Sequence, residues 1–399
     1  MSAARAAYRE RGGTWRRPFA LRVVDRLKRP DWVLYGCAAA LTLTGLLLIW
    51  SATRPGLIQQ GGDPSWFLRR QGIAAGIGVA LMVLIARSDL RILRAYVPML
   101  YVVALLGLAV VLSPLGSTVN GSKSWIVLGG GVQFQPSEFA KLALVLGVAV
   151  PLGELRDGER RPGVGALLLA LVLAALPALL ILAEPDLGTA LVFVAMTAGM
   201  VLVSGVRKVW LGALAAAGVG VAALAWFLGL IRPYQLQRLL VLADPDADPL
   251  GAGYNAAQAK IAIGSGGFSG QGLFRGGQTA GEFVPEQHSD FIFTVAGEEL
   301  GFVGAGAILV VMLALLWRGL RIAARSVTPY GTVIAAGTVC WLAFQTFVNV
   351  GMTLGIMPII GVPLPFLSYG GRPRSPGWSR SACSRRCTGR WAGECRNRQ

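Results

Sequence analysis

The chain has 399 residues, 54% hydrophobic and only 14% charged, with a mean hydropathy of +0.59. Soluble domains carry about 25% charged residues, so a solvated globular enzyme is excluded and an all-α polytopic membrane protein is expected. The net charge of +17 would suit nucleic acid, but most of it lies in two tails and in short loops between apolar runs, which fits membrane lipid and no nucleic-acid partner.

Residues 1–30 read as a basic cytoplasmic tail holding Arg5, Arg9, Arg11, Arg16 and Arg17. No cleavable signal is visible, since the apolar run that follows is too long for one. Apolar runs fall near 32–51, 71–86, 95–113, 138–152, 164–183, 188–204, 209–230, 291–317 and 330–356, about nine spans. With the tail in the cytoplasm, Arg87, Arg91, Arg94, Arg156, Arg160, Arg161, Arg207, Lys208, Arg318, Arg321 and Arg325 fall on the same side, as the positive-inside rule asks. Arg54, Arg69 and Arg70 run against it. Cys37 and Cys340 sit inside apolar runs and read as inert packing residues. A single histidine leaves no His-based metal spacing.

The unusual residues gather on the opposite, outer side. Between the third and fourth runs, Lys123 and Trp125 pair a cation with an amphipathic ring, which is also the signature of an interface anchor. Pro136 and Ser137 suit a helix start, and Glu138 with Lys141 forms an i,i+3 pair. Glu184-Pro185-Asp186 joins two runs with almost no loop. Asp186 reads as a cap, yet two carboxyls at membrane depth must face protein or a wet cavity.

Residues 232–290 form the one long outer segment, a length that points to function. It holds Arg238, then Asp244, Asp246 and Asp248, which start like a calcium loop but lack its Gly and Glu. A short interfacial helix is expected over 256–263, carrying Lys260. A glycine-rich run, 264–272, follows; such backbone can form an anion nest, but no Gly-Lys-Ser/Thr makes it a P-loop. The segment ends in Glu286, the sole histidine His288, and Asp290, just ahead of the run from Phe291 to Trp317. Asp290 suits a helix cap, but a cap does not need Glu286 and His288 beside it. Clustered ionisable groups at a membrane surface point to a functional site.

Taken together, Gly121-Ser-Lys-Ser-Trp125, Phe134-Gln-Pro-Ser-Glu138, Pro185-Asp-Leu-Gly-Thr189, Asp248-Pro-Leu-Gly-Ala-Gly-Tyr254, Pro285-Glu-Gln-His-Ser-Asp-Phe-Ile-Phe293, Glu298-Glu-Leu-Gly301 and Pro363-Leu-Pro-Phe-Leu-Ser-Tyr-Gly-Gly371 resemble the SEDS family (shape, elongation, division and sporulation), in its elongation (RodA) type. The resemblance covers about residues 30 to 371. It implies a bundle of about ten transmembrane helices in the bacterial cytoplasmic membrane and a peptidoglycan glycosyltransferase that polymerises lipid II on the outer face during elongation. It places the family's essential acid on Asp290, where a carboxylate can act as general base for the attacking sugar hydroxyl. Lys123, Arg238 and Lys260 are candidates to offset the charge on the departing pyrophosphate. Trp125, Glu138, Asp186, Glu286, His288 and Glu298 complete the candidate substrate-binding set. A divalent cation is left open as cofactor, with no metal ligands assigned. The implied partners are a class B penicillin-binding protein and other membrane proteins of an elongation complex. Two rival readings stand beside this one: a lipid II flippase using Asp186 and Glu298, and a non-catalytic scaffold for the transpeptidase.

The pattern stops after Gly371. Residues 372–399 are rich in Arg, with Cys383, Cys387 and Cys395, and contain no apolar run to serve as the last helix. A shifted reading frame is the expected cause. Reading the other two frames from codon 371 should uncover an apolar span; two frames without one would make the basic tail genuine.

Overall fold

The computed structural model describes residues 31–370, except 88–89, 120–121, 129–131, 155–160, 230–232, 245–247 and 249–250. The expectations for tail 1–30, for 372–399, and for Asn120, Gly121, Arg156, Arg160 and Asp246 lie outside these residues.

Six described helices are long and apolar enough to cross a membrane: α1 Trp32–Gln59, α2 Trp66–Arg87, α5 Pro136–Gly153, α6 Val164–Ala183, α12 Ile292–Arg325 and α13 Pro329–Thr353. Three shorter apolar helices join them, α4 Val97–Leu112, α7 Leu187–Val203 and α8 Lys208–Phe227, so each of the apolar runs read from the sequence becomes a helix. The short helix α3, Leu90–Ala95, links α2 to α4.

Two hydrophobic cores hold the bundle. One is built from α4, α5, α6, α7 and α13 around Leu144, Phe193 and Met196. The other joins α1 and α12 to residues 364–369 through Leu48, Ile49, Ile292 and Leu367. Helix α13 packs on α5, α7 and α12 and so connects the two. Ion pairs fasten the helix ends. Arg318 Nε donates to Asp31 Oδ2 at 2.7 Å, while Asp31 Oδ1 caps α1 by accepting from Leu34 N at 3.3 Å. Burial pushes the Asp31 carboxyl up, but these bonds outweigh it and hold it below the ordinary carboxylate range. Arg94 pairs with Glu154 at the far end of α5. Among the described side chains, helix α8 buries none and α2 only Phe67. Their outward Ile, Val and Leu side chains suit lipid, where hydrocarbon replaces water as solvent.

The segment before α5 is not the plain loop expected. It forms a small antiparallel sheet, β1 Gly116–Val119, β2 Ser122–Leu128 and β3 Val132–Phe134, with Ser117 opposite Trp125 and Ile126 opposite Phe134. Trp125-Ile126-Val127 is a β-favouring run, and the sheet settles its backbone hydrogen bonds. The long outer segment holds α9 Pro233–Ala243, α10 Ala252–Ser265 and the short α11 Gly277–Ala280. Asp248 Oδ2 accepts from Ala252 N at 2.8 Å, so this aspartate starts α10 and not a calcium loop. Helix α10 buries Ala256, Ala259 and Ala262 and packs on α12, rather than only lying at an interface.

Helix α12 is broken at Gly301, whose φ of 67° and ψ of −168° are not helical. A break leaves amides and carbonyls without helical partners. The glycine-rich run supplies them. Gln271 N donates to Glu298 O and Gly272 N to Glu299 O, both at 3.0 Å, while Phe302 N donates to Gly267 O at 3.0 Å and Val303 N to Phe268 O at 3.2 Å. The backbone of 267–272 is therefore spent on the broken helix, which corrects the anion-nest reading. After α13 the chain leaves helical geometry, and residues 354–370 fold back as an irregular segment. Gly45 of α1 admits it, because a Cβ there would lie 2.7 Å from Leu367 Cα and Phe366 O.

The turn between α6 and α7 carries a buried carboxyl. Glu184 is 1% exposed, and its Oε1 has no hydrogen-bond partner. Burial, and then the nearby Asp186 carboxylate, push it from 4.5 up to about 8. An unfolded Glu184 ionises near its ordinary value while the folded one keeps its proton, so native stability falls as pH rises through this window and levels off above the folded value. Glu184→Gln removes the titration. Thermal unfolding in detergent should show the variant several degrees more stable than the parent at pH 8 and equal to it at pH 4.5. Parallel pH dependences would refute this account.

Candidate active site

A cleft of about 880 Å³ opens at the end of the bundle where α5, α7, α10 and α12 begin. Its walls come from β2, the 184–187 turn, α9, the loop ahead of α12, the last turns of α13 and the irregular segment 359–370. Helix N-termini carry a partial positive charge, which the carboxylates set at these starts offset.

Six of the candidate residues meet there: Trp125, Glu138, Asp186, Arg238, Glu286 and Asp290. They lie far apart in sequence, and the fold is what gathers them. Asp290 is half-buried and stands one residue ahead of Phe291, the N-cap of α12, whose own side chain makes no cap bond. Gly361, at φ 70°, passes close beneath the carboxylate; a Cβ there would sit 3.3 Å from Asp290 Oδ2. Ser289 Oγ donates to Glu286 Oε2 at 3.2 Å, which braces the loop one residue before Asp290.

Asp186 does cap its helix. Its Oδ1 accepts from Thr189 N at 3.0 Å and its Oδ2 from Thr189 Oγ1 at 2.8 Å. It lines the cleft while holding the start of α7. Glu138 accepts from Lys141 Nζ at 2.7 Å, and Lys141 is only 1% exposed. The same ammonium lies 5.2 Å from the ring centroid of Trp341, another wall residue. One charge thus stiffens two sides of the cleft.

The other four candidates are placed elsewhere. Lys123 Nζ donates to Leu112 O at 3.2 Å and ties β2 to the end of α4. Lys260 is exposed beside Gly355. His288 packs edge-to-face on Phe67, with centroids 5.2 Å apart, and near Tyr369. Glu298 is fully buried and accepts from Gln278 N, Thr279 N and Thr279 Oγ1 at 2.7, 2.9 and 2.6 Å, which holds α11 against α12. None of the four lines the cleft. Among the lining side chains Arg238 is the one cation, facing the carboxylates of Glu138, Asp186, Asp248, Glu286 and Asp290. Among the described residues no group of three or more His, Cys, Asp or Glu is placed to hold a metal ion.

Sequence reading passed over several wall and support residues. Lys141 was seen only as a surface pair. Asn349 and Gln345, buried polar residues within α13, carried a usable signal, since polar groups in a membrane helix need a reason to be there. Tyr369 and Ser368 stood in a quoted motif without a role.

Comparison with known proteins agrees with this geometry. The chain is 42% identical over 340 residues to the peptidoglycan glycosyltransferase MrdB of Escherichia coli, covering 83% of this chain and 86% of that one. It is 38% identical over 350 residues to stage V sporulation protein E of Bacillus subtilis, covering 86% and 92%. Among solved structures it is similar to a chain from a peptidoglycan synthase complex that coordinates polymerization and crosslinking, with a TM-score of 0.70 and 34% identity over 85% of this chain and 92% of that one. The rod shape determining protein RodA of Thermus thermophilus matches with a TM-score of 0.61 and 32% identity over 85% and 90%. The profile of the cell cycle protein family FtsW/RodA/SpoVE matches residues 31–373. With that profile covering most of the chain, and a relative 42% identical over 83% of it, the chain belongs to the FtsW/RodA/SpoVE (SEDS) family.

Proposed function

We propose that this protein is a membrane peptidoglycan glycosyltransferase that polymerises lipid II on the outer face of the bacterial cytoplasmic membrane during elongation. Residues 31–371 are its catalytic unit, and 232–290 its large outer segment. The observation that carries the reading is Asp290, a half-buried carboxylate in the wall of a cleft of about 880 Å³ at the end of a membrane bundle. Similarity to a relative named peptidoglycan glycosyltransferase supports the same chemistry.

The step uses residues at the cleft as follows. Asp290 takes the proton from an acceptor sugar hydroxyl. The freed oxygen attacks the anomeric carbon of the donor, and the bond from that carbon to the undecaprenyl pyrophosphate breaks with its electron pair on the leaving phosphate. Arg238 lines the same cleft and offsets the growing charge, as preorganised cations do in group transfer. Trp125 and Trp341 offer flat apolar faces to sugar rings. No step is assigned to a metal, because the described carboxylates do not converge. Asp186 and Glu298, which a transport reading would need as movable polar sites, are both spent on fixing helices.

Asp290→Asn keeps the shape of the side chain and removes the base. In a lipid II polymerisation assay on folded, purified protein, the rate should drop roughly 10²–10⁴-fold, the usual worth of general base catalysis. Near-parental polymerisation by the Asn variant would overturn the assignment.

We also propose a class B penicillin-binding protein as partner, engaged through its membrane helix and stalk. The solved relative that works within a synthase complex supports this. Gentle extraction from native membranes should co-purify such a transpeptidase, whereas a clean monomer in mild detergent would speak against it.

A further inference from the structure

The three residues that lead into α12 have no secondary structure to satisfy their carbonyls. The chain there is irregular, with Glu286 at φ 55° and Phe291 as an unassisted N-cap. Buried carbonyls need donors. Each of the three finds one, and all three donors come from beyond residue 348. Tyr369 N donates to His288 O at 2.9 Å, Ser368 Oγ to Ser289 O at 2.6 Å and Asn349 Nδ2 to Asp290 O at 2.7 Å.

The donors are themselves tied together. Asn349 Nδ2 spends its second hydrogen on Val362 O at 2.8 Å, so one amide bridges the Asp290 loop and the irregular segment. Leu364 N donates to Ser368 Oγ at 2.8 Å, which fixes the hydroxyl and leaves its proton for Ser289 O. Asn349 is fully buried, and two carbonyl oxygens so near its amide can only be met by the NH₂ end.

We propose that Asn349 and Ser368 are positioning residues that clamp the main chain of 288–290, and thereby hold the Asp290 carboxylate at the cleft. This rests on the polymerase reading. Neither side chain needs to touch the reacting atoms; they act through Asp290. The cleft wall and the base are thereby one rigid piece, since Gly361 and Val362 lie on the same segment.

Two readouts test the clamp separately. Hydrogen–deuterium exchange of peptides covering 288–293 and 366–370 reads its closure with no substrate present. Ser368→Ala and Asn349→Leu should exchange faster in both peptides, while Ser368→Thr, which keeps the hydroxyl, should exchange like the parent. Lipid II polymerisation reads its use. Ser368→Ala should lose about tenfold and Asn349→Leu about 100-fold in kcat with KM unchanged, since small misplacements of a reacting group are this costly. Ser368→Thr should recover most of the rate. In an Asp290→Asn background, Ser368→Ala should add no further loss, because both act on one step. Unchanged exchange in the Ala and Leu variants overturns the clamp. Faster exchange with undiminished kcat, or additive losses with Asp290→Asn, overturns the positioning role. A parent that makes no polymer would instead sink the function proposed above, and the exchange result would still decide whether the clamp exists.

Discussion

Hydrocarbon offers no hydrogen bonds, so every departure from helix at membrane depth must be satisfied from within the protein. Among the described residues the chain departs at Gly301 within α12 and again after Thr353, and the segment after Thr353 borders the cleft. At the first, the glycine-rich run lays its backbone against the broken helix. Only residues without side chains can approach that closely: a Cβ on Gly266 would fall 2.8 Å from Glu298 Cα. At the second, Asn349 and Ser368 take over what a helix ladder would have done. The cleft end of the molecule thus includes irregular backbone held by specific long-range hydrogen bonds, which let a loop hold fixed geometry.

The ionisable groups divide by this logic. Glu298 is spent on the amides of α11, Asp248 on α10, Asp186 on α7 and Asp31 on α1. These carboxylates replace the missing backbone partners at helix starts. Asp290 sits one residue ahead of the N-cap of α12 and lines the cleft. Lys141 shows the same division among cations. Buried against Trp341 and bonded to Glu138, it sets the shape of the wall, whereas Arg238 faces the cavity.

Much of this was legible in the sequence because lipid imposes a coarse and readable code. Every apolar run became a helix, and Pro136 began α5 where its fixed φ and absent amide fit. The convergence of Trp125, Glu138, Asp186, Arg238, Glu286 and Asp290 followed from motifs whose spacing looked arbitrary until the helices met. What local reading could not supply was long-range pairing. The glycine run looked like a phosphate nest because its partner, the break at Gly301, lies some thirty residues on. His288 looked chemical because it stood beside Asp290, yet its ring turns away to Phe67 and Tyr369. Lys123 and Lys260 were chosen for their charge alone, and charge does not say which way a strand or a surface helix will face. The β-sheet at 116–134 was missed because its strands are short, of four, seven and three residues.

The break at Gly301 also divides α12 by length. From Phe302 to Arg325 the helix has 24 residues, about 36 Å at 1.5 Å per residue, enough on its own to cross a hydrocarbon layer of about 30 Å. The turns from Ile292 to Leu300 are therefore surplus to the crossing. They form a nine-residue stretch, about 14 Å long, that stands between the crossing helix and the loop carrying Asp290.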